Sequence, residues 1–145
     1  KAVVVDGASI IEVENPQLIK GKRVLVAEDG PTLTHGGMSY GAGAIAAKRY
    51  GCKLIDPRPY AKGSLKDVFK KFSQLTNVLP AEGYSLKQLK ELQTTINSVP
   101  ADAVVIGTPI HLEKLIKINK PAVRINYDFK ELSNKLPRII KQLIN

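Results

Sequence analysis

The sequence predicts an α/β fold, a three-layer α/β/α arrangement around a mostly parallel, Rossmann-like sheet of about 4–5 strands. Short apolar segments alternate with segments of helical periodicity, the pattern expected when parallel strands are joined by crossover helices. Residues 103–106 (AVVI) are apolar throughout, as in strands that are buried on both faces. Ser64 and Ser85 stand where N-cap residues begin two amphipathic helices.

The strands and helices follow one another with few interruptions. We predict strands over 1–6, 23–28, 52–56, 103–106 and 122–127. We predict helices over 42–50, 64–73, 85–99, 111–118 and 129–144, and Pro137 is a point at which the last one could be interrupted. The connector 9–21 has room for a short edge strand at IIEVE. The domain boundary predicted from this order separates residues 1–20, a terminal strand and connector that could end a preceding nucleotide-binding domain, from a Rossmann-like domain over 21–145.

Composition restricts the class of protein. The chain has 145 residues, of which 43% are hydrophobic and 24% charged, as in soluble globular proteins. No apolar run approaches the roughly 18 residues of a membrane span, and the first residues lack the pattern of a signal peptide. Cys52 is the single cysteine, which excludes an intramolecular disulfide and a cysteine-based zinc site. We therefore expect a cytoplasmic protein.

The net charge of +9 predicts an affinity for anions. The lysines are spread over several predicted helices and form no aromatic-rich basic stripe, so nucleic acid is the least favoured anionic partner. The many lysines, together with one Met and one Cys, weakly indicate a thermophile.

The glycine-rich loop 28–40 (EDGPTLTHGGMSY) is the most informative segment. It leaves the carboxyl end of a strand, where open parallel sheets bind ligands, and it leads into a helix whose first amides favour phosphate. The phosphate-binding candidates in and after this loop are Thr32, Thr34, His35, Gly36, Gly37, Ser39 and Gly41. Asp29 is the candidate ligand of a magnesium ion. A purely structural loop is the alternative.

Two further loops leave predicted strand ends. Arg58 stands between two prolines in DPRP, a stiff setting that suits bidentate recognition of an anion; a salt bridge to Asp29 or Asp56 is the alternative. Thr108 in GTPI is a third phosphate-binding candidate, with an ordinary strand-to-helix turn as the alternative. His35 is the candidate general acid, although it serves equally well as a hydrogen-bonding residue that holds its loop.

Two motifs are absent from the sequence. It contains no G-x-x-x-x-G-K-[ST], so the chain has no phosphate loop of its own. It contains no G-x-S-x-G, so a serine hydrolase of the α/β type is disfavoured. Nucleotide hydrolysis by this chain alone is therefore not expected.

Long strings of the sequence resemble the carboxyl-terminal part of the cyclic 2,3-diphosphoglycerate synthetase-like proteins, also described as predicted GTPases. The strings are KRVLVAEDGPTLTHGGMSYGAGAIAAKRYG, IDPRPYAKGS, VLPAEGYSLKQLKELQTTIN and VVIGTPIHLEKLIKINKPAVRINYD. The resemblance implies a nucleotide-dependent ligase or NTPase that uses ATP or GTP with Mg²⁺, and a small anionic phosphorylated ligand. It also implies an amino-terminal nucleotide-binding domain, carrying the phosphate loop, as the partner of this chain. The alternative function is a non-catalytic structural domain or a homodimerisation domain.

Overall fold

The computed structural model describes residues 3–83 and 85–144. Within them, six strands form one sheet in the order β1-β6-β5-β2-β3, with β4 paired to the same side of β2 as β3. The strands are β1 (Gly7–Val13), β2 (Arg23–Asp29), β3 (Lys53–Leu54), β4 (Leu79–Ala81), β5 (Ala103–Gly107) and β6 (Ala122–Glu131). Four pairs of strands are parallel, namely β2–β3, β2–β4, β2–β5 and β5–β6. The remaining pair, β1–β6, is antiparallel. The predicted α/β class with a mostly parallel sheet is confirmed.

The helices connect the strands. They are α1 (Gly30–Thr34), α2 (Ala42–Arg49), α3 (Ser64–Lys71), α4 (Leu86–Ser98), α5 (Leu112–Leu115) and α6 (Leu136–Ile144), and 3₁₀ turns occupy Pro16–Leu18 and Arg58–Tyr60. Ser85 caps α4 as predicted, in a capping box with Gln88. Ser64 does not cap α3, because Gly63 is the N-cap residue and the Ser64 hydroxyl donates to Oε2 of Glu91 at 2.7 Å.

The connections place helices on both faces of the sheet. The chain moves from β2 to β3 in one direction through α2, and from β4 past β2 to β5 in the opposite direction through α4. Since both crossovers are right-handed, α2 and α4 cover opposite faces. Four small buried residues of α2 allow it to lie close against the strands: Gly43, Ala44, Ala46 and Ala47.

The core lies between these layers. Val24, Leu25, Val26 and Ala27 of β2 are fully buried, as are the apolar residues of β5. Each fully buried aliphatic side chain contributes about 1.5–3 kcal/mol relative to an exposed one. The central strands therefore supply the rigid frame from which the loops at their carboxyl ends project.

The two ends of the chain depart from the predicted elements. Residues 1–6 were expected to form a strand, but residues 3–6 carry no regular structure, and Lys1 and Ala2 lie outside the described residues. The first strand is instead β1, an edge strand that contains four of the five residues of IIEVE, where the sequence left room for a short edge strand. At the other end, β6 continues to Glu131 and α6 begins only at Leu136, so Pro137 lies in the first turn of the helix, where a missing amide is tolerated.

Three shorter elements also differ from the prediction. No strand is predicted between the helices over 64–73 and 85–99, but β4 lies there, and the glycine-rich loop contains the one-and-a-half turns of α1. The strand predicted over 52–56 pairs with β2 only at Lys53 and Leu54. The helix predicted over 111–118 is reduced to α5.

Several apolar side chains on β6 and α6 are exposed. Phe129 is 59% exposed and Leu143 is 80% exposed, and α6 buries none of its residues. None of the helices in the described part of the chain is long and apolar enough to cross a lipid bilayer.

Candidate functional site

Glu28, the sixth residue of β2, carries a buried carboxyl group near the carboxyl end of the strand. Side chains alternate along a strand, so Glu28 points to the same face as Val24 and Val26, the face that α2 covers. The Glu28 side chain is therefore carried under the start of α2, and the residue is only 2% exposed.

The Glu28 carboxylate caps α2. Its Oε1 accepts hydrogen bonds from the amides of Gly41, at 3.1 Å, and Ala44, at 2.8 Å, while Oε2 accepts from the amide of Gly43 at 3.3 Å. The free amides and partial positive charge of the helix start are thus bound to an internal anion. Burial raises the pKa of Glu28 above its ordinary value, and these three hydrogen bonds, which favour the ionised form, offset that effect only in part.

Glycines make room for this carboxylate. A Cβ on Gly107, directly opposite Glu28 in the β2–β5 register, would lie 2.3 Å from Oε2 of Glu28. A Cβ on Gly41 would lie 2.6 Å from the same oxygen. The glycines at the start of α2 and at the end of β5 therefore serve the buried carboxylate.

Asp29, the last residue of β2, caps α1. Its Oδ2 accepts from the amide of Thr32 at 3.1 Å and from the Thr32 hydroxyl at 2.7 Å. Its other oxygen, Oδ1, has no hydrogen-bond partner among the residues that the structure describes. Asp29 is half-buried, so this oxygen remains an acceptor for a ligand.

A crevice of about 310 Å³ opens beside the two carboxylates. Its apolar lining comes from β1, the α1 region and α2: Ile11, Leu33, Met38, Ala42 and Ile45. Its polar lining consists of Glu28, Asp29 and the hydroxyl-bearing Ser9, Thr32 and Tyr127. Gly41 and Gly107 complete it. None of these described lining residues is basic.

The crevice lies at the topological switch point of the sheet. β2 and β5 are neighbours, but the chain leaves them towards opposite faces, α2 on one side and α5 on the other. Open α/β sheets bind ligands in the crevice that this divergence leaves outside the strand ends. The fold therefore defines the chain as a doubly wound α/β domain with a crevice at the carboxyl edge of its sheet.

The structure distributes the predicted phosphate-binding residues over different places. Thr32 and Gly41 line the crevice. Thr34 and His35 line a second cavity, on the other side of α1, together with Lys71, Phe72 and Glu82. Ser39 lines a small cavity beside Lys48, and Gly36 and Gly37 lie in the exposed turn between α1 and α2.

Arg58 and Thr108 lie away from both of these cavities. The Arg58 guanidinium donates to Asp56, from Nε at 2.9 Å and from NH2 at 2.7 Å, which is the salt bridge that the sequence left open as the alternative. Thr108 is buried, and its hydroxyl accepts from the amide of Ile110 at 3.4 Å within the strand-to-helix turn. Thr34, Arg58 and Thr108 are therefore not gathered at one pocket.

Other lining residues were not foreseen from the sequence. The antiparallel β1–β6 pair places Ser9, Ile11 and Tyr127 in the lining of the crevice. No local sequence pattern indicates that pairing. The role of Glu28 was not detectable from alternation, because residues 24–27 are apolar and both faces of β2 are buried.

No group of three or more His, Cys, Asp or Glu side chains is placed to bind a metal within residues 3–83 and 85–144. Asp29, the predicted magnesium ligand, therefore belongs to no such group in the described residues. One free carboxylate oxygen fits only a magnesium ion that is held chiefly by phosphate oxygens and water.

Comparison with known proteins gives one informative relative. The chain is 54% identical over 143 residues to a protein of Thermococcus kodakarensis named arginine synthetase ArcE. The match covers 97% of this chain and 32% of that protein, so the chain spans about a third of the relative's length. No family model and no solved structure matches the chain. The resemblance to the cyclic 2,3-diphosphoglycerate synthetase-like proteins stays a prediction.

Proposed function

We propose that this chain is a substrate-binding domain of a nucleotide-dependent ligase of the arginine synthetase kind. The observation that carries the proposal is the crevice at the switch point between β2 and β5, beside Glu28 and Asp29. The likeness to a protein named as a synthetase supports a ligase, and joining two molecules ordinarily requires a nucleotide. The domain would hold and orient the small substrate while water is excluded by the apolar lining.

The nucleotide belongs, in this proposal, to another domain of the same enzyme. The chain lacks a phosphate loop, and the amides at the start of α2 are already bound to Glu28. ATP or GTP with Mg²⁺ would supply the phosphoryl group that activates a substrate. The residues of this chain would position the substrate, with Asp29 as the nearest free carboxylate.

A second binding function is favoured by the cavity on the other side of α1. There Thr34, His35 and the cationic Lys71 line one space of about 320 Å³. The Thr34 hydroxyl already donates to the Gly30 carbonyl oxygen at 3.0 Å, so the imidazole of His35 and the ammonium of Lys71 are the donors suited to phosphate. We therefore keep a phosphorylated ligand at the glycine-rich loop as a proposal, located at this cavity.

The dimerisation alternative is favoured by a different surface. Phe129 of β6 and Leu143 of α6 are exposed apolar side chains of the kind that interfaces cover. Sedimentation analysis distinguishes it: a concentration-dependent dimer supports this alternative, and a monomer at all concentrations contradicts it.

Amide chemical shifts test the main proposal. We expect L-arginine to shift the amide signals of Gly41 and Gly107 at the crevice, ATP with Mg²⁺ to leave these two signals unchanged, and inorganic phosphate to shift those of Thr34 and His35. L-alanine, which lacks a long side chain, serves as the control compound. The proposal fails if none of these compounds moves an amide signal at either cavity on folded protein.

A further inference from the structure

The crevice and the rest of the chain carry charge of opposite sign. The sequence has 22 Lys and Arg residues and a net charge of +9. The described residues that line the crevice nevertheless include two carboxylates, Glu28 and Asp29, and no basic side chain. A ligand with several negative charges would enter this space without a cation to meet it, at a high cost in desolvation.

Acceptor capacity is left over at the two carboxylates. Asp29 uses Oδ2 for Thr32, while its Oδ1 has no partner among the described residues. Glu28 Oε1 accepts two amides, but Oε2 accepts only one, at 3.3 Å. Both residues line the crevice, and the free Oδ1 of the half-buried Asp29 favours a ligand that donates hydrogen bonds.

The remaining lining is apolar. Ile11, Leu33, Met38 and Ile45 come from four segments of the chain, and they offer contact to a stem without polar atoms. A volume of about 310 Å³ is at the lower end of the range for small-molecule pockets. A single extended amino-acid side chain is the appropriate size.

We infer that the crevice binds a guanidinium group carried on an aliphatic stem, the chemistry of an arginine side chain. A guanidinium presents five N–H donors in a planar fork and is less strongly hydrated than an ammonium, so it is the cation best suited to carboxylates in a half-dry pocket. The inference rests on the proposed function, because it names the substrate group that the same crevice would hold.

The test compares two compounds of the same shape and different charge. Titration of the 145-residue chain with n-butylguanidinium, followed by calorimetry and by the amide signals of Gly41 and Gly107, is set against titration with n-butylurea. We expect the guanidinium compound to bind at least about tenfold more tightly, the difference that charge-assisted hydrogen bonds give. L-arginine is measured in the same way.

Two variants of matched chemistry locate the effect. Asp29→Asn removes the charge but keeps an N-cap residue for α1, since Asn caps helices as well as Asp does. It should weaken binding of n-butylguanidinium by about tenfold and leave that of n-butylurea unchanged. Asp67→Asn makes the same change on the exposed face of α3, where the side chain is 82% exposed, and should leave both affinities unchanged.

A third variant tests the stem. Ile45→Ala shortens an apolar lining residue while keeping a strong helix former in α2. It should weaken the binding of both compounds several-fold, because both carry the same butyl chain. Thermal unfolding of each variant establishes that it is folded, and Ile45→Ala keeps the test informative if Asp29→Asn unfolds.

The outcomes separate the inference from the proposed function. Equal affinity for the two compounds, an unchanged guanidinium affinity in folded Asp29→Asn, or signals that shift only at Thr34 and His35 would overturn the inference. Binding of a neutral or anionic substrate at the crevice would preserve the proposed function and overturn the inference. Binding of n-butylguanidinium at the crevice, with no response to L-arginine, would preserve the inference and contradict the ligase.

Discussion

Gly107 and Glu28 face each other across β5 and β2, and a Cβ on Gly107 would lie 2.3 Å from Oε2 of Glu28. The same virtual Cβ would lie 3.0 Å from the amide nitrogen of Gly43 in α2. The end of β5, the Glu28 carboxylate of β2 and the start of α2 thus lie in contact at one point. A methyl group on residue 107 would not fit between them. The geometry of the crevice depends on this meeting point.

Gly107→Ala should lower the free energy of unfolding by about 1–3 kcal/mol, because the methyl group must displace the Glu28 carboxylate or the start of α2. Urea unfolding measures the change. In a Glu28→Ala background the same substitution should cost less, since its main obstacle is gone, and a double-mutant cycle reports the difference.

Gly21→Ala is the control for this cycle. Gly21 has a φ of +69°, and a Cβ there would meet no atom within 4 Å. Its cost comes from backbone conformation alone and should be the same with or without Glu28. Identical costs of Gly107→Ala in both backgrounds would rule out the contact as the cause.

The buried carboxylate makes stability depend on pH. The pKa of Glu28 is raised above 4.5 in the folded state by burial, so the folded protein holds this proton more tightly than the unfolded chain does. The contribution to stability is fully present below the unfolded pKa, and it is lost as the pH rises through the folded one. Glu28→Gln has no such proton. The free energy of unfolding of the wild type minus that of Glu28→Gln should therefore fall as the pH rises above about 4.5.

A pH series of urea unfolding curves for both proteins measures this difference. Subtracting the variant cancels the titration of the remaining groups to the extent that they do not interact with residue 28. A difference that is flat or that rises with pH would show that the amide hydrogen bonds outweigh burial.

The sequence was sufficient for the central elements and insufficient for the ends. β2, β5, α2 and α4 have strong apolar periodicity and local caps, so each is determined by neighbouring residues. The β1–β6 pair joins residues about 120 positions apart, such as Gly7 and Glu131, and its strands are largely exposed. Neither local periodicity nor burial indicates such a pair. The prediction therefore gave 1–6 as a strand and 129–144 as a helix.

Three of the predicted site residues, Asp29, Thr32 and Gly41, line the crevice, because the sequence located them at and after the end of a parallel strand. Ligand binding by these residues stays a prediction. The sequence could not tell whether the start of α2 meets an external phosphate or an internal carboxylate, since that depends on which way Glu28 points in the folded sheet. The Arg58 guanidinium forms a salt bridge with Asp56, two residues away, and the sequence analysis had already given that pairing as the alternative to anion binding.

Lys120 should stabilise the end of α4. Its Nζ donates to the carbonyl oxygens of Ile96 and Val99, both at 2.9 Å, and to that of Asn97 at 3.4 Å. Ile96 and Asn97 lie in the last turn of α4, whose carbonyl oxygens have no partner within the helix, and a cation there also interacts favourably with the helix dipole. Lys120→Met keeps the aliphatic stem and removes the ammonium, so we expect a loss of about 1 kcal/mol in the free energy of unfolding. Lys114→Met, at an exposed position of α5, should change stability little, and equal losses in the two variants would contradict the capping role.

Lys71 should determine whether the cavity beside α1 retains phosphate. It lines that cavity with Thr34 and His35, and its Nζ lies 5.2 Å from the centre of the Phe72 ring, so its ammonium is held near the space. Lys71→Met should weaken binding of inorganic phosphate by about twofold to fivefold, the range expected for an exposed ionic contact, and the effect should shrink as salt is added. Lys66→Met removes the same charge from the cavity beside Arg58 and serves as the control. The phosphate-induced shifts of the Thr34 and His35 amides measure the affinity in each variant. If Lys66→Met weakens phosphate binding as much as Lys71→Met does, the attraction comes from the net charge of the chain and not from this cavity.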